Sequence, residues 1–376
     1  MEYKKLGDIA TYINGYPFKP EDRGECGLPI IRIQDLTGNT YDLGYYDGKY
    51  PERIEINNGD ILISWSASLG VYVWNRGKAL LNQHIFKVVF DKVEINKRYF
   101  VYAVQFKLKE MEAKTHGATM KHIVKKDFDS TLIPYPSLKE QSRIAEIIDS
   151  IAKSINMRQK QLQKLDELVK ARFVEMFGDV IRNSKSWEIR VLADIASSRL
   201  GKMLDTKQQT GECSYPYLAN FNVQWFRFNT ENLNQMDFNE EDRIEFELQN
   251  GDLLVCEGGE IGRCAVWHNE IQPCFFQKAL HRVRCNRQIV HPDYLGWWFK
   301  YNCDHDGFAT IAGAKATIAH LPGVKLKQLR VAIPPLELQE QFAAFVNQTD
   351  KSKAVVQKAL DEAHLLFDSL MQKYLG

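Results

Sequence analysis

PSLKEQSRIAEIIDSIAKSINMRQKQLQKLDELVKARFVEMFG, residues 136–178, is the segment around which this 376-residue chain is organised. From Arg143 it runs to Gly178 without glycine or proline. Its apolar residues Ile144, Ile148, Ile151, Ile155, Leu162, Leu165, Val169 and Met176 recur three or four apart, with a seven-residue gap across Arg158 and another across Arg172. That is a heptad seam carrying two arginines. Roughly 34 helical residues at ~1.5 Å each predict a rod of about 50 Å. Pro136 before it and Gly178 after it are the start and stop signals such a helix needs.

The rod occurs twice. Adding 198 to each number lays Pro136-Ser137-Leu138 over Pro334-Pro335-Leu336 and Gly178 over Gly376, the last residue given. The second seam reads Phe342, Val346, Thr349, Lys353, Val356, Leu360, Ala363, Phe367, Leu370 and Tyr374. Its polar breaks are offset from the first: Arg158 faces Val356 in the alignment, and Ile155 faces Lys353. Two identical apolar seams favour pairing between molecules, whereas offset polar positions favour pairing of one copy with the other. An antiparallel intramolecular coiled coil is therefore expected, with a pseudo-two-fold relation between the halves. Two independent amphipathic helices, each packed on its own domain, are the alternative.

The segments before each rod also repeat. Leu192-Ala193-Asp194-Ile195-Ala196 echoes Leu6-Gly7-Asp8-Ile9-Ala10, Tyr215-Pro216-Tyr217-Leu218 echoes Leu28-Pro29-Ile30-Ile31, and Gly251-Asp252-Leu253-Leu254-Val255 echoes Gly59-Asp60-Ile61-Leu62-Ile63. Short strands and one helix (Lys97 to Glu112 in the first copy) make each an α+β domain. The expected boundaries are 1–136 and 181–335 for the two domains, and 137–180 and 336–376 for the two spacer helices. The framework is shared while the residues between differ, as in a scaffold whose two copies read different ligands.

Composition narrows the class. Apolar content of 44% suits well-cored domains, and a formal net charge of +1 gives no bulk support for nucleic-acid binding, so that case rests on local patches. No run is long and apolar enough to span a bilayer. Seven cysteines without a CxxC pair read as reduced thiols of a cytoplasmic protein.

The ends of the domains carry a family resemblance. Ile133-Pro134-Tyr135-Pro136-Ser137-Leu138-Lys139-Glu140-Gln141 and Val331-Ala332-Ile333-Pro334-Pro335-Leu336 resemble the junction of strand, proline pair, leucine and glutamine before a long helix in specificity subunits of type I restriction–modification systems. The likeness runs nearly the whole length; Leu338 departs from it by interrupting the glutamate–glutamine run. It implies two target-recognition domains, each reading half of a bipartite duplex DNA target, with helices that set the gap and dock two methylation subunits. It implies no cofactor in this chain: S-adenosylmethionine, ATP and Mg²⁺ belong to the methylation and restriction subunits. Half-sites on one face of B-DNA lie about one turn, ~34 Å, apart, within reach of such rods. A specificity subunit of a related fused restriction–methylation system and a protein scaffold are the alternatives.

Candidate DNA contacts follow from the groups phosphates and base edges need. In the first domain they are Ser64, Ser66 and Ser68, small hydroxyls in the loop Ser64 to Gly70, together with Lys19 and Arg32. In the second they are Arg263, in the matching glycine-rich loop Glu257 to Arg263, with Lys202 and Asn220. Lys121 and Lys315, in matching glycine-containing loops just ahead of the rods, are expected phosphate contacts. Arg282 and Arg284 alternate on a strand, where ion pairing competes with DNA contact, and Trp297-Trp298 read as helix core. The chain carries no Asn/Asp-Pro-Pro-aromatic methylase motif and no GxxxxGK[ST] loop, and its His and Cys spacings fit no standard zinc site. A non-catalytic reader is the expectation.

Overall fold

The computed structural model describes residues 2–40, 42–114, 123–205, 209–308 and 320–376. The chain divides into two compact units, residues 1–160 with 357–376, and residues 161–356. Each unit holds one α+β head and part of both long helices, which span Leu138–Phe177 and Leu336–Leu375.

In the first unit a four-stranded antiparallel sheet runs in the order Thr11–Asn14, Ile85–Val89, Ile61–Ser64, Gly70–Val73. Ile61-Leu62-Ile63-Ser64 is buried throughout. The pleat explains this, because alternate residues face opposite layers. Ile61 and Ile63 join Tyr99, Phe100 and Ala103 of the helix Lys97–Lys114, while Leu62 shares a core with Ile56 and Leu80 of a second small sheet and with Ile54 of the turn Glu52–Ile54. That sheet runs Tyr45–Tyr46, Leu28–Ile31, Ala79–Leu81, Glu55–Ile56, and its two central strands are parallel. The opening strand, Tyr3–Lys5, pairs antiparallel with Leu132–Pro134, the strand that leads into the first long helix. Chain entry and exit of the head are thereby tied together.

The second unit repeats this order of strands by itself. Its sheet runs Ala196–Leu200, Leu280–Cys285, Asp252–Cys256, Cys264–Val266, all antiparallel. Leu253 and Val255 face Tyr294, Leu295 and Trp298 of the helix Pro292–Asp304, and Leu254 and Cys256 face Tyr217, Trp267 and Phe275. Glu188–Val191 pairs with Arg330–Ile333 as the closing ribbon.

The junction motif has a physical role in both units. Gln141 is fully buried; its Oε1 accepts from the Asn96 N–H at 2.9 Å and its Nε2 donates to the Pro136 carbonyl at 2.9 Å. Gln339 is equally buried, accepts from the His291 N–H at 2.8 Å and donates to the Pro334 carbonyl at 2.8 Å. Tyr99 Oη donates to the Pro134 carbonyl (2.8 Å) and Tyr294 Oη to that of Ala332 (2.6 Å). The departure at Leu338 leaves this frame intact.

Within the second unit the two long helices meet antiparallel. Lys353 Nζ lies 2.7 Å from Asp166, Arg172 covers the Phe345 ring, and Phe173 and Phe177 pack on Phe342. Within the first unit Ile144 and Ile148 share a core with Met371 and Leu375, near the end of the other helix. The seam differs from its expected course near Arg172. Phe173, buried to 1% exposure, fills the gap expected there, and Arg172 flanks the seam, paired with Glu175 at 2.9 Å.

Candidate nucleic-acid interface

In each head two stretches far apart in sequence meet at one place. The loop after the central strand is bonded to the residue that follows the basic, glycine-containing loop: Ile123 N–H donates to the Trp65 carbonyl at 3.0 Å, and Leu321 N–H to the Glu257 carbonyl at 2.7 Å. His320 also bridges to Gly258. Lys121 and Lys315 lie outside the described residues; the residues that anchor the end of each lysine's loop are these.

The serine loop is built from within. Ser64 is fully buried and its Oγ donates to the Ser68 carbonyl at 2.5 Å. Ser66 is buried, while Ala67, with φ of 58°, and Ser68 form the exposed tip. Of the three hydroxyls, Ser68's is the one at the surface. In the second head the loop turns at Gly259 and Gly262. A Cβ on Gly262 would stand 3.0 Å from the Phe308 ring and 3.1 Å from Cys303 Sγ, at a φ of +78°, so this position takes glycine.

Arg263 is turned inward. Its Nη2 donates to the Asn220 carbonyl (3.1 Å) and to Asn220 Oδ1 (2.6 Å), and Glu260 lies 3.5 Å away. Asn220 Nδ2 in turn donates to the Gly258 carbonyl at 2.7 Å. The two sequence candidates thus hold each other, and they clamp the one-turn helix Asn220–Asn222 to the glycine loop. Lys202 is likewise occupied: Nζ bonds the Asp237 carbonyl (2.7 Å) and Asp242 Oδ2 (2.5 Å). Arg32 pairs with Asp35 at 3.3 Å and donates to the Asp42 carbonyl. Lys19 stands in solvent, 73% exposed, 3.8 Å from Glu21. Arg284 makes a two-pronged bond to Asp252 at 2.7 and 2.8 Å, and Arg282 donates to the Glu245 carbonyl. Trp297 and Trp298 are core residues.

Burial sets the electrostatics behind the second loop. His281, 1% exposed, lies below the range of an ordinary imidazole because burial disfavours its charged form, and its Nε2 is 2.9 Å from the Leu321 carbonyl. The neutral ring donates there and fixes the segment that holds Glu257. Burial pushes the Cys256 thiol up. All seven cysteines are free, and the described residues contain no His, Cys, Asp and Glu grouping fit for a metal ion.

The candidates Arg32 and Asn220 sit at the start of a turn that follows the strand Leu28–Ile31 in the first head and the strand Ser214–Leu218 in the second. In the first head it is Ile33–Leu36, in the second Asn220–Asn222. Each is capped from inside by a buried side chain: Asp35 Oδ2 accepts from the Arg32 N–H (2.8 Å) and Asn222 Oδ1 from the Ala219 N–H (2.9 Å). The signal was there, in an Asp or Asn four positions after each strand end.

A four-stranded sheet, a small second sheet, a closing ribbon and a long helix, all built twice with matching loop anchors, define a duplicated α+β architecture with one candidate binding surface per head. The chain belongs to the family of the type I restriction modification DNA specificity domain, whose model matches residues 1–167 and 184–363. It is similar to the type I restriction enzyme EcoBI specificity subunit of Escherichia coli, 24% identical over 402 residues, covering 99% of this chain and 84% of the relative. Its fold is similar to the S subunit of a type I restriction–modification system from M. genitalium, with a TM-score of 0.60 and 15% identity over 100% of this chain and 96% of that one. A chain from a structure on complex assembly and conformational transition of the type I R-M system gives a TM-score of 0.61 at 15% identity, covering 99% and 97%.

Proposed function

We propose that this chain is the specificity subunit of a type I restriction–modification system, a non-catalytic reader that uses its two heads on the two halves of one bipartite duplex target. The observation that carries this reading is the repeated loop constellation. Both heads keep the same buried anchors, and they differ in the side chains those anchors present. Two like readers with different faces suit two different half-sites.

The two long helices pair along their length as one antiparallel intramolecular coiled coil, on this reading, and give the molecule its pseudo-two-fold relation. The antiparallel contacts inside the second unit support it, as does the shared core of opposite helix ends in the first. The pair sets the distance between half-sites and docks two methylation subunits, with restriction subunits joining them. S-adenosylmethionine, ATP and Mg²⁺ act on those partners, and the assembly works in the cytoplasm. Among the described residues no helix is long and apolar enough to cross a membrane.

The test is binding of the whole chain to duplexes selected from a random-sequence pool. A specificity subunit enriches one two-part sequence and binds it more tightly than a scrambled duplex, with affinity falling as salt rises. A protein scaffold enriches nothing and treats both duplexes alike.

A further inference from the structure

Phe221 is an aromatic side chain 58% exposed at the tip of the Asn220–Asn222 turn. Such a residue gains nothing from the fold by standing in water. Everything around it is fixed. Asn222 beneath it is 1% exposed and bonds both the Ala219 N–H and the Asn229 carbonyl. Asn220 beside it is held by Arg263 and Gly258, and Gln224 Nε2 donates to the Phe221 carbonyl at 3.1 Å. The turn is therefore a rigid mount joined to the glycine loop, which is itself joined to the end of the basic loop.

The corresponding turn of the first head keeps the mount and changes the tip. Asp35, 2% exposed, takes the place of Asn222, and the Asp35 carbonyl accepts from Arg76 Nη2 at 2.8 Å. Counting from the capping residue, the place of Phe221 is held by Gln34. Its side-chain amide makes no hydrogen bond among the described residues. A shared buried cap under an apolar tip in one head and an amide tip in the other is the pattern of a position that selects different bases.

We infer that this turn is the specificity-determining tip of each head, and that Phe221 reads a thymine through its C5-methyl group. The inference rests on the DNA-reading function proposed above. Thymine's methyl is the apolar group on a base edge in the major groove, and the turn offers no charged side chain of its own to that edge. Gln34 has the amide that pairs two-pronged with adenine. Arg263 and Asn220 are positioning residues: they hold the tip and do not read.

The experiment selects duplexes from a random-sequence pool with the whole chain and with Phe221→Ala, then measures affinity for the wild-type sequence carrying deoxyuridine in place of each thymine. The expected result is a wild-type motif with a thymine that Phe221→Ala no longer requires, in one half only. Uracil at that place should weaken wild-type binding about fourfold, the worth of one buried methyl group, and leave Phe221→Ala binding unchanged. Phe221→Ala should lose about tenfold on the selected duplex and keep its affinity for a scrambled one. Gln34→Ala should relax one position of the other half. The inference is overturned if Phe221→Ala selects the wild-type motif, if it weakens selected and scrambled duplexes alike, or if no uracil substitution distinguishes the two proteins. A wild-type chain that enriches no sequence overturns the DNA-reading function itself, a separate result.

Discussion

Single side chains decide how firmly each reading surface is held. His281 is buried and neutral, with a pKa below its ordinary 6.5. The unfolded chain therefore binds a proton first as pH falls, and stability drops from about pH 6.5 downward toward the folded-state value. Denaturation midpoints of the wild type should fall across that window, and those of His281→Gln should fall less. Gln141 and Gln339 are a second case. Gln141→Ala or Gln339→Ala leaves a buried N–H and a carbonyl without partners, which costs about 1–3 kcal/mol in denaturant unfolding. Lys121→Ala and Lys315→Ala test the phosphate contacts. Each should weaken binding to every duplex to a similar degree and lower the salt slope by about one; an unchanged slope removes that lysine from the interface. At this scale the sequence was least informative about the site. Residue type announces that Arg263, Asn220, Lys202 and Arg32 can bond DNA, yet whether a guanidinium or ammonium points out or in depends on partners such as Glu260, Asp242 and Asp35. An exposed phenylalanine such as Phe221 carries no periodic signal at all.

Elements were far more legible, because burial imposes a period. The strand Ile61–Ser64, the helix Lys97–Lys114 and both long helices follow directly from apolar spacing and from glycine and proline stops. The long helices begin earlier than their seams, at Leu138 and Leu336, because the buried glutamine in the first turn of each already belongs to the head. The opening strand Tyr3–Lys5 carries no such signal, because it pairs with a segment 127 to 131 residues away, from Lys5 opposite Leu132 to Tyr3 opposite Pro134. Long-range ribbons of three residues have too little pattern to read. Phe173 joins rings of Tyr294, Trp297 and Phe342 at centroid distances of 5.9, 6.3 and 5.4 Å. Truncating so large a buried ring costs about 3–5 kcal/mol. Phe173→Ala should lower the melting temperature of the second unit, with loss of near-ultraviolet dichroism from those aromatics, while far-ultraviolet helix signal persists below the transition.

For the whole molecule, the duplication is the fact that most constrains function. A gene product that carries one head twice, with the mount kept and the tips changed, is suited to a target in two unlike halves. On the function proposed above, the helices act as a ruler. Inserting seven residues, two turns, at matching places in both helices adds about 10 Å, close to three base pairs at ~3.4 Å each. The half-sites themselves should stay the same while the gap between them widens by about three base pairs. A gap that does not move removes the ruler role and leaves the reading role standing.

The most direct measurement is the methylome of a host that carries this chain with its methylation partners, compared with the same host lacking it. Two heads reading two half-sites predict new modified bases in a single two-part motif of fixed gap. Modification at one uninterrupted motif, or no sequence-dependent modification, would contradict the account.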